Sequence, residues 1–121
     1  MKRVVLWFIP VAVLLASTPP GAFEVNVPVL VPVTGFLSLE GTSQRNGALL
    51  ALESPPNNVT VTYEVADTST APEIAVNALE RAVSRGNISA VVASMLGTQM
   101  LAMLPLAMEY KVPLVTISGT A

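Results

Sequence analysis

Apolar and polar positions follow one another along this chain in blocks that have the lengths of strands and helices. The clearest series runs from Ile88 to Ala121: an apolar run at residues 88–93, a polar turn, a helical segment ending near Lys111, and a second apolar run at residues 112–117. Two apolar runs separated by a helix are typical of a β-α-β unit with both strands buried in a parallel sheet. The two strands then end at the same, carboxyl edge of that sheet, which is where open α/β sheets bind ligands.

The residues before this unit repeat the alternation. Runs rich in β-branched residues predict strands at residues 24–33 and 59–65, and helical patterns lie at residues 41–53 and 72–85, with a third helix at residues 98–110. The order β-α-β-α-β-α-β predicts an α/β domain with three layers, αβα, around a parallel sheet in the order 2-1-3-4. The second strand alternates most evenly and is expected at an edge.

Several positions make the prediction more specific. Thr42 or Ser43 is expected to cap the first helix, and Gly47 would be tolerated there if the helix packs closely on the sheet. Its buried face is expected to comprise Ala48, Leu49 and Leu52. Pro28 lies where a central strand needs an N–H donor, and Pro105 lies inside the third helix, where a proline costs about 3 kcal/mol or forces a kink.

The first 22 residues have the layout of a secretory signal peptide. A basic start at Met1–Arg3 precedes an apolar run from Val4 to Ala16, and small or helix-breaking residues follow. The alternative is a membrane anchor, but the run is short for a bilayer and Pro10 interrupts it. Cleavage is expected after Ala22, which would give a periplasmic or secreted domain at residues 23–121.

Composition excludes several classes of function. The chain has 121 residues, a formal net charge of −2, and neither His nor Cys. The absence of His and Cys excludes a Cys nucleophile, a Ser-His pair and the usual zinc sites. No cofactor or metal is therefore expected, and an enzyme is the least favoured class of function. The absence of a basic cluster argues against a nucleic-acid partner.

Five segments, in this order, resemble the type I periplasmic substrate-binding proteins, the leucine/isoleucine/valine-binding family of ABC importers. They are Val29-Leu30-Val31-Pro32-Val33-Thr34-Gly35, Arg45-Asn46-Gly47-Ala48 with Ala51-Leu52-Glu53, Asp67-Thr68-Ser69-Thr70-Ala71-Pro72, Ala90-Val91-Val92 leading to Gly97-Thr98, and Val112-Pro113-Leu114-Val115-Thr116 through Thr120.

The resemblance implies a protein of two α/β lobes that close on a ligand, of which residues 23–121 would be a partial N-terminal lobe without its C-terminal partner. It implies an extracytoplasmic solute-binding component for amino acids or related small polar solutes. Its partners would be that small-molecule solute and the membrane subunits of an ABC importer. The alternative is the ligand-binding lobe of a sensory receptor with the same fold, which a downstream transmembrane helix would favour.

The resemblance also indicates a ligand site in the turns after the third and fourth strands. By position, the ligand-binding residues would be Gly97, Thr98, Ser118, Gly119, Thr120 and Glu40. Gly97 replaces a common serine, Glu40 lies near a position often held by an aromatic residue, and Ala71 replaces a capping Asp. The departures at Gly97 and Glu40 argue against a branched-chain amino acid as the ligand.

Four of these residues also have a simpler structural interpretation. The hydroxyls of Thr98, Ser118 and Thr120 could simply cap the helices that follow. Glu40 could be a solvated loop acid, because carboxylates are rarely buried unpaired. Outside this set, Asp67 could be the phospho-acceptor of a response-regulator-like fold, although the acidic pair that such a fold has after its first strand is missing.

Overall fold

The computed structural model describes residue 21 and residues 23–117. Residues 1–20, 22 and 118–121 lie outside the described part, and with them the predicted signal peptide and the predicted site residues Ser118, Gly119 and Thr120. The elements are β1 (Phe23–Asn26), β2 (Val29–Val31), α1 (Ser38–Leu52), β3 (Val59–Thr62), β4 (Val65–Asp67), α2 (Pro72–Ser84), β5 (Val91–Val92), α3 (Gly97–Tyr110) and β6 (Leu114–Val115).

The strands form parallel sheets, which confirms the predicted α/β class. A four-stranded sheet has the order β4-β2-β5-β6, and a two-stranded sheet pairs β1 with β3. The predicted first strand is therefore divided into β1 and β2, and the predicted second strand into β3 and β4. Within the four-stranded sheet, segments from the predicted strands lie in the order two, one, three, four.

Pro28 explains the division of the first strand. The N–H groups of Val27 and Val29, on either side of it, donate to the carbonyls of Thr62 and Glu64 at 2.8 Å. Alternation along the strand therefore turns the Pro28 position toward β5. There its carbonyl accepts from the Val92 N–H at 2.9 Å, but its nitrogen has no hydrogen to donate. The chain stays in the sheet while the regular ladder is interrupted.

The hydrophobic core lies between the sheet and the pair α2 and α3. Leu30, Leu79, Val91 and Met103 are almost fully buried in it, and Leu114 packs against it. Because side chains alternate along a strand, Val92 and Val115 must face the opposite side, where α1 lies. Val115 is 58% exposed, so α1 covers that side only in part.

Helix α1 differs from its prediction in three ways. It begins at Ser38, its N-cap is Leu37, and no side chain caps it. Ser43 instead donates from its hydroxyl to the carbonyl of Leu39, one turn earlier, so capping by Thr42 or Ser43 is wrong. The buried residues of α1 are Gly41 and Gln44, whereas the predicted apolar face, Ala48, Leu49 and Leu52, is only half-buried.

The close approach of α1 to the sheet occurs at Gly41. A Cβ placed on Gly41 would lie 1.9 Å from the carbonyl oxygen of Pro32, whereas a Cβ on Gly47 would meet nothing within 4 Å. The expected reason for a glycine at position 47 is therefore wrong. Glycine is required at Gly41, nearer the start of the same helix, where the backbone of α1 crosses the end of β2.

Helices α2 and α3 follow their predictions more closely. The buried face of α2 includes Leu79, Ala82 and Val83, and Gly86 ends the helix region with a positive φ of 76°. Helix α3 continues through Pro105 to Tyr110, and its C-cap residue, Lys111, adopts a left-handed conformation. No helix in the described part of the chain is long and apolar enough to cross a membrane.

Candidate functional site

Each strand of the four-stranded sheet leads into a turn at its carboxyl edge. Turn one is residues 32–37 after β2, turn two is residues 68–71 after β4, and turn three is residues 93–96 after β5. Residues 116–117 are the described start of turn four, after β6. Parallel strands place all four turns along one rim, where helices α1, α2 and α3 begin, so the rim combines backbone N–H groups with short polar side chains.

Asp67, at the end of β4, joins turn one to turn two. Its Oδ1 accepts from the N–H groups of Val33 (2.9 Å), Thr34 (3.2 Å) and Ser69 (2.9 Å), and its Oδ2 accepts from the Thr34 hydroxyl. Burial acts to raise the pKa of Asp67, but these hydrogen bonds to the ionised form outweigh it and the pKa lies below its ordinary value. A carboxylate engaged in this way is a structural link between turns.

Gln99 joins the first turn of α3 to turn two. It is fully buried, its Oε1 accepts from the Thr68 hydroxyl at 2.9 Å, and its Nε2 donates to the carbonyl of Thr68 at 2.8 Å. Longer contacts of Nε2 reach the carbonyls of Ser69 (3.2 Å) and Ala71 (3.1 Å). The start of α3 is therefore fixed relative to the start of α2.

Gln44 makes the corresponding link from α1 to turn three. Its Nε2 donates to the carbonyl of Ala93 at 2.8 Å, and its Oε1 accepts from the N–H of Met95 at 3.1 Å. Within the same turn the Leu96 N–H donates to Ser94 Oγ, and the Thr116 hydroxyl donates to the Ser94 carbonyl at 2.8 Å. Turn three is thus held from α1 on one side and from turn four on the other.

Two of the predicted site residues, Gly97 and Thr98, form the first turn of α3. The N-cap of α3 is Leu96 with no side-chain cap, so Thr98 does not cap this helix. Because Gln44 and Ser94 already occupy the N–H groups of Met95 and Leu96, those of Gly97 and Thr98 are the next donors along the chain, and an α-helix offers them no internal partner. The Thr98 side chain is exposed.

Glu40 lies in the first turn of α1 and is exposed, so it is part of a helix rather than the expected loop. It borders an apolar groove of about 710 Å³ between α1 and the uncovered side of β5 and β6. Gly97 and Thr98 are not among the residues lining this groove. Glu40 therefore lines this groove without Gly97 and Thr98. Among the described residues, no group of three or more acidic side chains could hold a metal ion.

The linking residues Gln44, Asp67 and Gln99 were not predicted as site residues from the sequence. A signal for the two glutamines was present, because each is a neutral amide in a helix that should bury one face. Gln44 lies three residues after Gly41 and so on the same side of α1, and Gln99 falls in the first turn of a helix otherwise rich in Met and Leu. Buried amides need several hydrogen-bond partners, and turns supply them.

Comparison with known proteins agrees with this architecture. The sequence profile of a family described as periplasmic binding protein matches residues 24–121. The chain belongs to this family. Its members are solute-binding proteins, which implies an extracytoplasmic location. No match was found among curated proteins.

Solved structures of the family resemble the described fold. A leucine-binding protein from Thermotoga maritima is 32% identical, with a TM-score of 0.70, over 76% of this chain and 27% of that one. A branched-chain amino acid transporter substrate-binding protein from Streptococcus pneumoniae, in complex with isoleucine, is 21% identical, with a TM-score of 0.75, over 81% and 30%. A solute-binding protein of an ABC transporter from Rhodopseudomonas palustris, in complex with 3,4-dihydroxybenzoic acid, is 19% identical, with a TM-score of 0.70, over 77% and 26%. This chain spans less than a third of each.

Proposed function

We propose that residues 23–121 form the N-terminal ligand-binding lobe of an extracytoplasmic solute-binding component of an ABC importer. The family match over residues 24–121 carries this proposal. The rim supports it, because four turns and three helix starts converge at the edge where a second lobe could close on a solute. The importer's membrane subunits and a second lobe are the partners that the proposal requires.

The chemistry of the rim favours a small solute that carries a carboxylate. The N–H groups of Gly97 and Thr98 and the Thr98 hydroxyl are donors at a helix start, where negative charge is stabilised. Two of the proteins compared above were solved in complex with isoleucine and with 3,4-dihydroxybenzoic acid, and both of these ligands carry a carboxyl group. Amino acids are therefore the first solutes to test, with Ser118, Gly119 and Thr120, which follow the described residues in the sequence, as further proposed donors.

The test is titration calorimetry of the mature exported protein, expressed from the complete gene. L-leucine, L-isoleucine, L-valine, L-glutamine and 3,4-dihydroxybenzoate form the panel, and the decarboxylated amine of leucine is the matched control. We expect the protein to bind at least one of the carboxylates and not to bind the amine. Equal binding of leucine and its amine would contradict a carboxylate site, and no binding to any member would contradict the proposed solute class.

The sensory-receptor alternative makes a different prediction about the partner. An importer component stimulates the ATPase of its membrane subunits when the solute is present, whereas a receptor lobe does not. Reconstitution with the importer encoded nearest to the gene distinguishes the two. ATP hydrolysis that depends on both the protein and the solute supports the importer.

Export is a separate part of the proposal. The basic start and the apolar run from Val4 to Ala16 motivate cleavage after about Ala22. Mass spectrometry of the exported protein is expected to find a mature N-terminus near Phe23. A soluble exported product that retains Met1 would contradict a cleaved signal.

A further inference from the structure

Gln44 is an uncharged polar side chain on the buried side of α1. Only 8% of its surface is exposed, and it lines the apolar groove beside the uncovered side of β5 and β6. Burying an amide in apolar surroundings costs free energy unless hydrogen bonds replace those lost to water. A methionine or leucine would suit the surroundings of this position better, so the amide has to be explained by what it binds.

The two hydrogen bonds of Gln44 go to one short stretch of backbone. Its amide nitrogen donates to the Ala93 carbonyl, and its amide oxygen accepts from the Met95 N–H. Together they close a ring across residues 93–95, immediately before α3. An apolar side chain of the same length would leave both backbone groups unpaired in a largely buried place.

Turn three determines where the first turn of α3 points. Gly97 begins α3 two residues after Met95, and the intervening Leu96 is tied to Ser94 Oγ. Gln99 fixes the other side of the same helix start through the carbonyls of turn two. The N–H groups of Gly97 and Thr98 are therefore carried on a turn whose conformation depends on Gln44.

We propose that Gln44 is a positioning residue of the solute site: it holds turn three so that the Gly97 and Thr98 donors are arranged for a carboxylate before the solute arrives. This inference rests on the proposed function. Gln44 acts through turn three, as the fixed backbone spares the solute the cost of ordering the turn.

The first test compares Gln44→Met and Ser43→Ala in the mature exported protein. Ser43 is the neighbouring exposed residue, and its hydroxyl donates to the Leu39 carbonyl within α1. Gln44→Met is expected to weaken binding of the panel solute that the wild type binds best by about tenfold to a hundredfold, the range found when hydrogen bonds that orient the ligands of metal sites are removed. Ser43→Ala should bind as the wild type does. Wild-type affinity in Gln44→Met would overturn the proposal.

The second test uses Gln44→Glu to separate hydrogen bonding from packing. In this variant a protonated carboxyl group at position 44 can donate to the Ala93 carbonyl and accept from the Met95 N–H, whereas the carboxylate cannot donate. Burial and the bond to the Ala93 carbonyl should raise the pKa of this carboxyl group above the ordinary value of about 4.3. Relative to the wild type at the same pH, the affinity of the variant should therefore be poor where the group is ionised, at about pH 8, and recover by about pH 4.5.

Glu40 is the titratable side chain that lines the groove together with Gln44, and none comes from the described residues of β5, turn three or β6 there. Glu40→Gln in both backgrounds therefore serves as the control. Relative affinity that does not change with pH in Gln44→Glu would overturn the hydrogen-bonding role.

Amide hydrogen exchange without any solute distinguishes failure of this inference from failure of the proposed function. The Met95 amide should exchange at least about tenfold faster in Gln44→Met than in the wild type, because its hydrogen-bond acceptor is gone. If the wild type binds no solute of the panel given above, the proposed solute class fails. Slow, wild-type exchange of Met95 in Gln44→Met would by itself overturn the positioning role.

Discussion

Asp67 concentrates four hydrogen bonds on one carboxylate, from two backbone positions in turn one, one in turn two and the Thr34 hydroxyl. Those bonds stabilise the ionised form, and they hold its pKa below the ordinary value despite partial burial. At the scale of single residues, the order of the rim therefore depends on a charge. The carboxylate serves to join turns, which accounts for Asp67 without phosphorylation chemistry.

The first prediction concerns acid stability. Because the pKa of Asp67 is lower in the folded state than in the unfolded state, its stabilising contribution is fully present above the unfolded pKa of about 3.9. That contribution is lost as the pH falls through the folded pKa. Asp67→Asn should lower the free energy of unfolding at pH 7 by about 1–3 kcal/mol, and the difference from the wild type should shrink below about pH 4. Urea titrations across pH measure both, and a difference independent of pH would contradict the charge effect.

The second prediction concerns Ala71, the N-cap of α2. Its extended backbone suits a cap, but alanine offers no acceptor, and none is supplied by a side chain. Ala71→Asp should stabilise the protein by about 1 kcal/mol by accepting from a first-turn N–H. Ala71→Asn is the control that caps without charge and should give most of the gain. Thermal unfolding of the three proteins tests this, and no gain in either variant would contradict the cap.

Helix α1 shows at the scale of elements how a helix is placed by close backbone contact. Its apolar residues are at best half-buried, and Leu39 and Leu50 are 76% and 72% exposed. Gly41 brings the helix backbone against Pro32, and Gln44 ties the same side of the helix to turn three. The lack of a side chain at Gly41 and the side-chain amide of Gln44 thus determine where α1 lies on the sheet.

The third prediction contrasts two glycines of the same helix. Gly41→Ala should destabilise the protein by about 1–3 kcal/mol or more, because its Cβ would overlap the Pro32 carbonyl. Gly47→Ala should stabilise it by about 0.5–1 kcal/mol, because its Cβ meets nothing and alanine favours the helix. Chemical denaturation of both variants gives the two signs. Destabilisation of similar size at both positions would contradict the contact assigned to Gly41.

At the scale of the whole molecule, the two sides of the sheet differ. Helices α2 and α3 enclose a core on one side, whereas α1 leaves the groove beside Val92 and Val115 uncovered. The rim can donate hydrogen bonds to only one side of a bound solute. A solute bound there by this lobe alone would keep much of its surface in water, whereas small-molecule sites bury most of the ligand.

The fourth prediction is that a polypeptide of residues 23–121 alone binds amino acids weakly or not at all. It supplies half of the contacts while bearing much of the association entropy cost, estimated at about 4–15 kcal/mol. Titration calorimetry of the monomeric polypeptide with amino acids, amides and small carboxylates is the measurement. We call Thr98, Ser118 and Thr120 the half-site, because a second lobe would have to complete it. Micromolar binding that Thr120→Ala abolishes would contradict the prediction, because the half-site would then be sufficient to bind the solute.

The sequence by itself determined the α/β class, the parallel pairing and most of the element order. Runs such as Val29–Val31 and Val91–Val92, separated by helical segments, bury apolar surface well in a parallel sheet. Helix α2 was predictable for a similar reason, since its apolar positions recur at helical spacing and Gly86 marks its end. These features depend on local periodicity, which the chain carries within a few turns.

Only the tertiary structure decided how the rim is held together. The contacts of Gln44 with Ala93 and Met95 join residues about fifty positions apart, and those of Asp67 and Gln99 join residues about thirty apart. The requirement for glycine at position 41 likewise depends on where Pro32 lies. Hydrophobic periodicity contains no information on such pairs, because they form only after packing brings helix starts and strand ends to one edge.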